Sequence, residues 1–149
     1  MEFQTQAQQD CYEKLNQWMG KLFSDIPWER LDVPGFGLFM GSAWVEIRIL
    51  PWNGDDDTVI NVRSKVVTGT QQTPELQNFL LRENAERCFG AFSIDSNGDV
   101  LFEHTIVGST CDPKELETSA IAVLEAADEY DDRIVGLWGG KRALDLPPE

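Results

Sequence analysis

The sequence predicts an α+β fold, an antiparallel five-stranded sheet with three helices in the order α-β-β-β-α-β-β-α. Three observations carry that expectation. Apolar residues recur at steps of three and four from Thr5 to Ile26, the mark of an amphipathic helix. Two stretches, Gly35 to Leu50 and Phe89 to Val107, alternate in side-chain character and break at glycine-containing turns, as hairpins do. Thr73-Pro74-Glu75 and Asp112-Pro113-Lys114-Glu115 each set a capping side chain directly before a proline, a helix start.

The elements follow in order. In the first helix Cys11, Leu15, Trp18, Met19, Leu22, Phe23 and Ile26 share a face, and Pro27 stops it. In the first hairpin, a two-residue turn at Gly41-Ser42 sets Met40 opposite Ala43, Leu38 opposite Val45 and Phe36 opposite Ile47. One face is then continuously apolar, and the other carries Phe39, Trp44, Glu46 and Arg48. Pro51 ends the second strand, and Trp52 to Asp57 form an acidic loop. A third strand from Thr58 to Val67 places Ile60, Val62 and Val66 on one side and Asn61, Arg63 and Lys65 on the other, completing a meander. The helix from Thr73 runs to about Glu86, with Leu76, Phe79 and Leu80 inward.

For the second hairpin two registers compete. A two-residue Asn97-Gly98 turn mixes polar and apolar groups on both faces. A type I turn closed by Gly98 in the left-handed conformation pairs Ile94 with Val100 and Phe92 with Phe102, and this register is the one expected. The last helix starts at Asp112, carries Leu116, Ala120, Val123, Leu124, Ala127 and Ile134 on one side, and ends near Trp138-Gly139-Gly140, where glycine serves as the C-cap. The first and third helices have broad apolar stripes and should cover one face of the sheet.

The 149 residues, 42% of them hydrophobic, suit one domain over 1–149 with its core at about 5–138 and a frayed tail at 144–149. A net charge of -14 argues against nucleic acid and anionic membrane surfaces as partners. The start of the chain lacks signal-peptide character, no apolar run has spanning length, and Cys11, Cys88 and Cys111 are odd in number and widely spaced. A cytoplasmic protein with reduced thiols is expected.

No catalytic motif survives inspection, so no enzyme, cofactor or metal is expected. Asp95, Asn97 and Asp99 alternate like calcium ligands, but the sixth and twelfth loop positions hold Val100 and Ile106 where an EF-hand needs glycine and glutamate. The glycines of Gly35 to Gly41 are misplaced for a dinucleotide fingerprint, and Gly139-Gly140-Lys141 follows a helix where a phosphate loop would precede one. His104 is the sole histidine, without metal-ligand spacing around it, and no local signature makes Cys88 or Cys111 a nucleophile. The competing reading is a small metal-binding protein or enzyme using His104 with nearby carboxylates. The acidic runs Asp55-Asp56-Asp57 and Glu125 to Asp132 read as solvated surface. What remains is a candidate protein-binding face made of Phe39, Trp44, Arg48, Arg63, Lys65 and Leu101, on the sheet side away from the helices. Its occupant could be another part of the chain, a second copy or a foreign partner.

With this element order, the residues Phe36 to Leu50, Thr73-Pro74-Glu75, Phe89 to Val107 and Asp112-Pro113 resemble the YbjN family, over roughly residues 5 to 138. That family is similar in fold to type III secretion chaperones. The resemblance implies a small, non-enzymatic, cytosolic protein, commonly a homodimer, associated with regulation or sensory transduction. It also implies a protein client, bound as an extended segment through apolar pockets and unpaired strand edges. It supplies no catalytic or ligand residue to carry over.

Overall fold

A computed structural model of the chain describes residues 1–143, so the expected frayed tail at 144–149 lies outside the described residues. The elements are α1 (Gln6–Leu22), β1 (Trp28–Arg30), β2 (Gly35–Met40), β3 (Ala43–Trp52), β4 (Asp57–Thr68), α2 (Pro74–Ala85), β5 (Ala91–Ile94), β6 (Val100–Val107), α3 (Pro113–Trp138) and β7 (Lys141–Arg142). The strands form one antiparallel sheet in the order β1-β2-β3-β4-β6-β5, with β7 paired to β4.

The three helices start where their caps require. The side chains of Thr5, Thr73 and Asp112 accept from the N–H groups of Gln8, Leu76 and Glu115, and Pro74 and Pro113 open α2 and α3. Helix α1 ends at Leu22, short of Pro27, because Phe23 leaves helical geometry while its N–H still reaches the Met19 carbonyl. Gly139, at φ 75, closes α3 with its N–H on the Val135 carbonyl.

Both hairpins adopt the expected registers: Phe36 with Ile47, Leu38 with Val45 and Met40 with Ala43 in one, Phe92 with Phe102 and Ile94 with Val100 in the other. Among the described residues the sheet has seven strands, not five. The two additions are short. β1 has three residues that pair Trp28 with Leu38 and Arg30 with Phe36, and β7 has two. A run of two or three residues shows no alternation, so sidedness cannot betray it.

Pro51 also behaves differently from expectation, since β3 continues through it to Trp52. Ile49 donates its N–H to the Pro34 carbonyl at 3.1 Å, so odd-numbered residues of β3 aim their main chain at the β2 side. At Pro51 the neighbouring β2 has already ended. Its missing N–H therefore falls on an open edge, the place in a sheet where proline is tolerated.

One face of the sheet is the core. Phe36, Leu38, Val45, Ile47, Ile49, Ile60, Val62, Phe102 and Ile106 are buried there against Leu15 and Met19 of α1 and Leu116, Val123, Leu124 and Ile134 of α3. Each such side chain contributes about 2 kcal/mol of transfer free energy. Helix α2 adds Leu76 and Leu80, and its Phe79 packs on Tyr130 and Trp138 of α3. Phe92 lies edge-on to Phe102 and Tyr130. A bulge between Lys65 and Val67 turns both Val66 and Val67 inward.

Candidate functional site

Among the described residues no helix covers the other face, which carries the whole expected set. Phe39 and Trp44 are cross-strand partners with ring centroids 4.2 Å apart. The indole lies across Gly37, where an added Cβ would come within 2.0 Å of a ring carbon. Glycine there lets the ring lie flat against the backbone, so Phe39 and Trp44 form a fixed aromatic ledge at one end of the face.

The middle is polar and electrically balanced. Arg48 pairs with Glu46 at 3.4 Å, Arg63 with Glu103 at 3.0 Å and Lys65 with Asp99 at 3.2 Å, so these three cations and three carboxylates cancel. Asn61 donates to Glu103 and to Thr105, both at 3.1 Å. Leu101 requires a correction. It sits on this face between its cross-strand partners Lys65 and Ser93 but is only 5% exposed. It supports the face instead of offering contact area.

The opposite end is apolar, and sequence reasoning missed it. Leu50 pairs with Val59, and Val59 with Val107, making a row across three strands, with Leu50 40% and Val107 47% exposed. Trp52, 59% exposed, continues β3 past them on the same side. The available signal was the alternation Glu46, Arg48, Leu50, Trp52, which an assumed strand end at Pro51 cut short. Between the apolar row and the charges lies a depression of about 310 Å³ lined by Glu46, Arg48, Leu50, Val59, Asn61, Arg63 and Thr105. Arg48 and Leu50 also line an adjoining cavity of about 490 Å³ that extends to Gln4 and Asp32.

The β2–β3 turn that bears the ledge is tied to α3. Asp128 accepts from the N–H of Ser42 at 2.9 Å and from its hydroxyl at 2.8 Å, and Asp131 also contacts that hydroxyl. An added Cβ at Gly41, φ 58, would come within 2.5 Å of the Asp128 carboxylate, so glycine is needed both for the turn and for the approach. The two Ser42 hydrogen bonds hold the Asp128 carboxyl below the usual range, whereas burial pushes Asp131 up.

The residues of the competing metal or enzyme reading are otherwise engaged. His104 lies on the helix side of the sheet, and its Nδ1 accepts from the N–H of Gly90 at 3.1 Å, with Phe89 edge-on to the ring. Burial pushes the Cys111 thiol up to about 12, with Glu115 adding to the effect, and the thiol donates to the Asp112 carbonyl. Among the described residues no three His, Cys, Asp or Glu side chains converge on a metal position. No helix among them is long and apolar enough to cross a membrane.

Several solved structures share this architecture. The HopA1-SchA chaperone-effector complex contains a chain with 8% identity and a TM-score of 0.60, covering 82% of this chain and 94% of that one. The ExsC-ExsE complex contains one with 15% identity and a TM-score of 0.61, covering 83% and 95%. YbjN from E. coli gives 13% identity and a TM-score of 0.56, covering 82% and 92%. At such identities the likeness shows the fold. No curated protein sequence gives a significant match. The family model for the T3SS (YopN, CesT) and YbjN peptide-binding chaperones matches residues 17–146. With its model spanning most of the sequence and its fold matched by that of YbjN, the chain belongs to this family, TY-Chap1.

Proposed function

We propose that the chain is a non-enzymatic, peptide-binding chaperone or regulator that acts as a homodimer in the cytoplasm and holds an extended segment of a client protein on its uncovered sheet face. The observation that carries this reading is the composition of that face. In a molecule of net charge -14 its three cations and three carboxylates cancel, between an aromatic ledge and an aliphatic row. An extended segment, whose side chains alternate in direction, can set apolar groups on both ends and polar groups on the middle. Trp44, Phe39, Arg48, Arg63 and Lys65 are the contact residues, joined by Leu50, Val59 and Val107.

The edge of β6 supports the same reading. Gly108 donates to the Thr58 carbonyl at 2.8 Å, which fixes even-numbered residues of β6 as facing β4. Thr105 and Val107 therefore aim their main chain away from β4, and β5, which pairs only as far as Glu103, does not reach them. Among the described residues this short edge has no strand beside it.

A reduced, carboxymethylated protein that cannot fold serves as the probe. Trp44→Ala should weaken its binding about tenfold, the loss of one aromatic anchor, and Arg63→Glu should weaken it too, with circular dichroism unchanged. Binding unaltered in both variants would sink the assignment.

A further inference from the structure

The outer edge of the sheet at β5 is closed by a side chain. In the β5–β6 pairing Asp95 donates its N–H to the Asp99 carbonyl at 3.1 Å, so odd-numbered residues of β5 aim their main chain at β6. Phe92 and Ile94 consequently aim theirs outward. Asn84, in the last turn of α2, meets Phe92 there. Its Oδ1 accepts from the Phe92 N–H at 2.6 Å and its Nδ2 donates to the Phe92 carbonyl at 3.1 Å. One acceptor and one donor on a planar amide reproduce the pair of bonds that a residue of a neighbouring strand would make. Gly90, the next outward position, at φ 82, turns its N–H to His104. Of the three, Ile94 alone has no such partner among the described residues.

We propose that Asn84 is an edge latch, occupying the strand position beside β5 so that a second copy of this chain cannot pair there. The occupant it excludes follows from symmetry. Two unlatched β5 strands would present the same outward groups about a two-fold axis, and the small side chains of Ala91 and Ser93 would leave their uncovered faces free of clashes. The latch is held from behind, since Leu76 and Leu80 of α2 are buried and the Tyr130 hydroxyl contacts Glu83, next to Asn84. The inference does not depend on peptide binding, because it concerns an edge and not the uncovered face.

Hydrogen exchange resolved by residue, together with sedimentation velocity, tests it. In Asn84→Leu the Phe92 amide should exchange at least about tenfold faster, while the Ser93 amide, paired to Leu101, keeps its rate. The mass distribution should shift upward with concentration beyond that of the unaltered chain. Asn84→Asp, which retains the acceptor and adds a charge to the edge, should keep Phe92 protected and show no added association. The proposal is overturned if Phe92 and Ser93 accelerate together, since Asn84 would then merely stabilise the fold, or if a folded Asn84→Leu variant does not associate further. Should that variant fail to fold, the unaltered chain decides. A Phe92 amide exchanging as fast as that of Ile94 overturns the latch, and one about tenfold slower supports it.

Discussion

Ser42 has one hydroxyl proton and two carboxylates to serve, Asp128 and Asp131. If it donates to Asp128, the contact with Asp131 is a hydrogen bond only when Asp131 brings a proton of its own, which fits the upward push that burial gives this group. The neighbours have opposite pH signatures. Asp128, held below its ordinary value of 3.8, contributes stability that is present above that value and lost as pH falls through the lower folded one. Asp131, raised above 3.8, contributes stability that is present below that value and lost as pH rises through the higher folded one. Asp131→Asn, whose amide can donate to Ser42 as the protonated acid does, should therefore be at least as stable as the unaltered chain at neutral pH. Its advantage should approach roughly 1 kcal/mol as pH rises. The deficit of Asp128→Asn should shrink as pH falls below about 4. Urea midpoints measured across that pH range check both expectations, and a gain for Asp131→Asn that shrinks with rising pH would contradict the shared-proton arrangement.

At the scale of elements, Gly37 makes the clearest test. Gly37→Val would drive a branched side chain into the Trp44 ring and lift it from the strand. Probe binding should fall about as much as in Trp44→Ala, with a stability cost of about 1–2 kcal/mol read from urea unfolding. Unchanged binding would mean that the ledge is not the contact. Much at this scale was legible in the sequence. The registers of both hairpins follow from keeping Phe36, Leu38, Phe92 and Phe102 on one side, since a slip of one residue would expose them. Thr73, Asp112 and the prolines after them announced α2 and α3. β1 and β7 were not legible because so few residues carry no alternation, and Pro51 misled because its meaning depends on which strand lies beside it. The row Leu50, Val59 and Val107 was hidden for another reason. Its members lie far apart in sequence and become neighbours only once β4 pairs with β6 across the whole of α2 and β5.

For the molecule as a whole, the proposed homodimer predicts a species of twice 16.8 kDa at sedimentation equilibrium. Added salt should favour it, because two chains of net charge -14 repel each other through weakly screened solvent. A mass of one chain at every concentration and salt level would remove the dimer and leave the peptide-binding reading standing. The tie between Ser42 and α3 gives the molecule a mechanical property as well. The β2–β3 turn reaches past the sheet to grip a helix on the far side, so the ledge of Phe39 and Trp44 stands on a braced lever. A load placed on one side of the sheet is borne by the helix on the other, and the two faces of a thin sheet are made to move as one body.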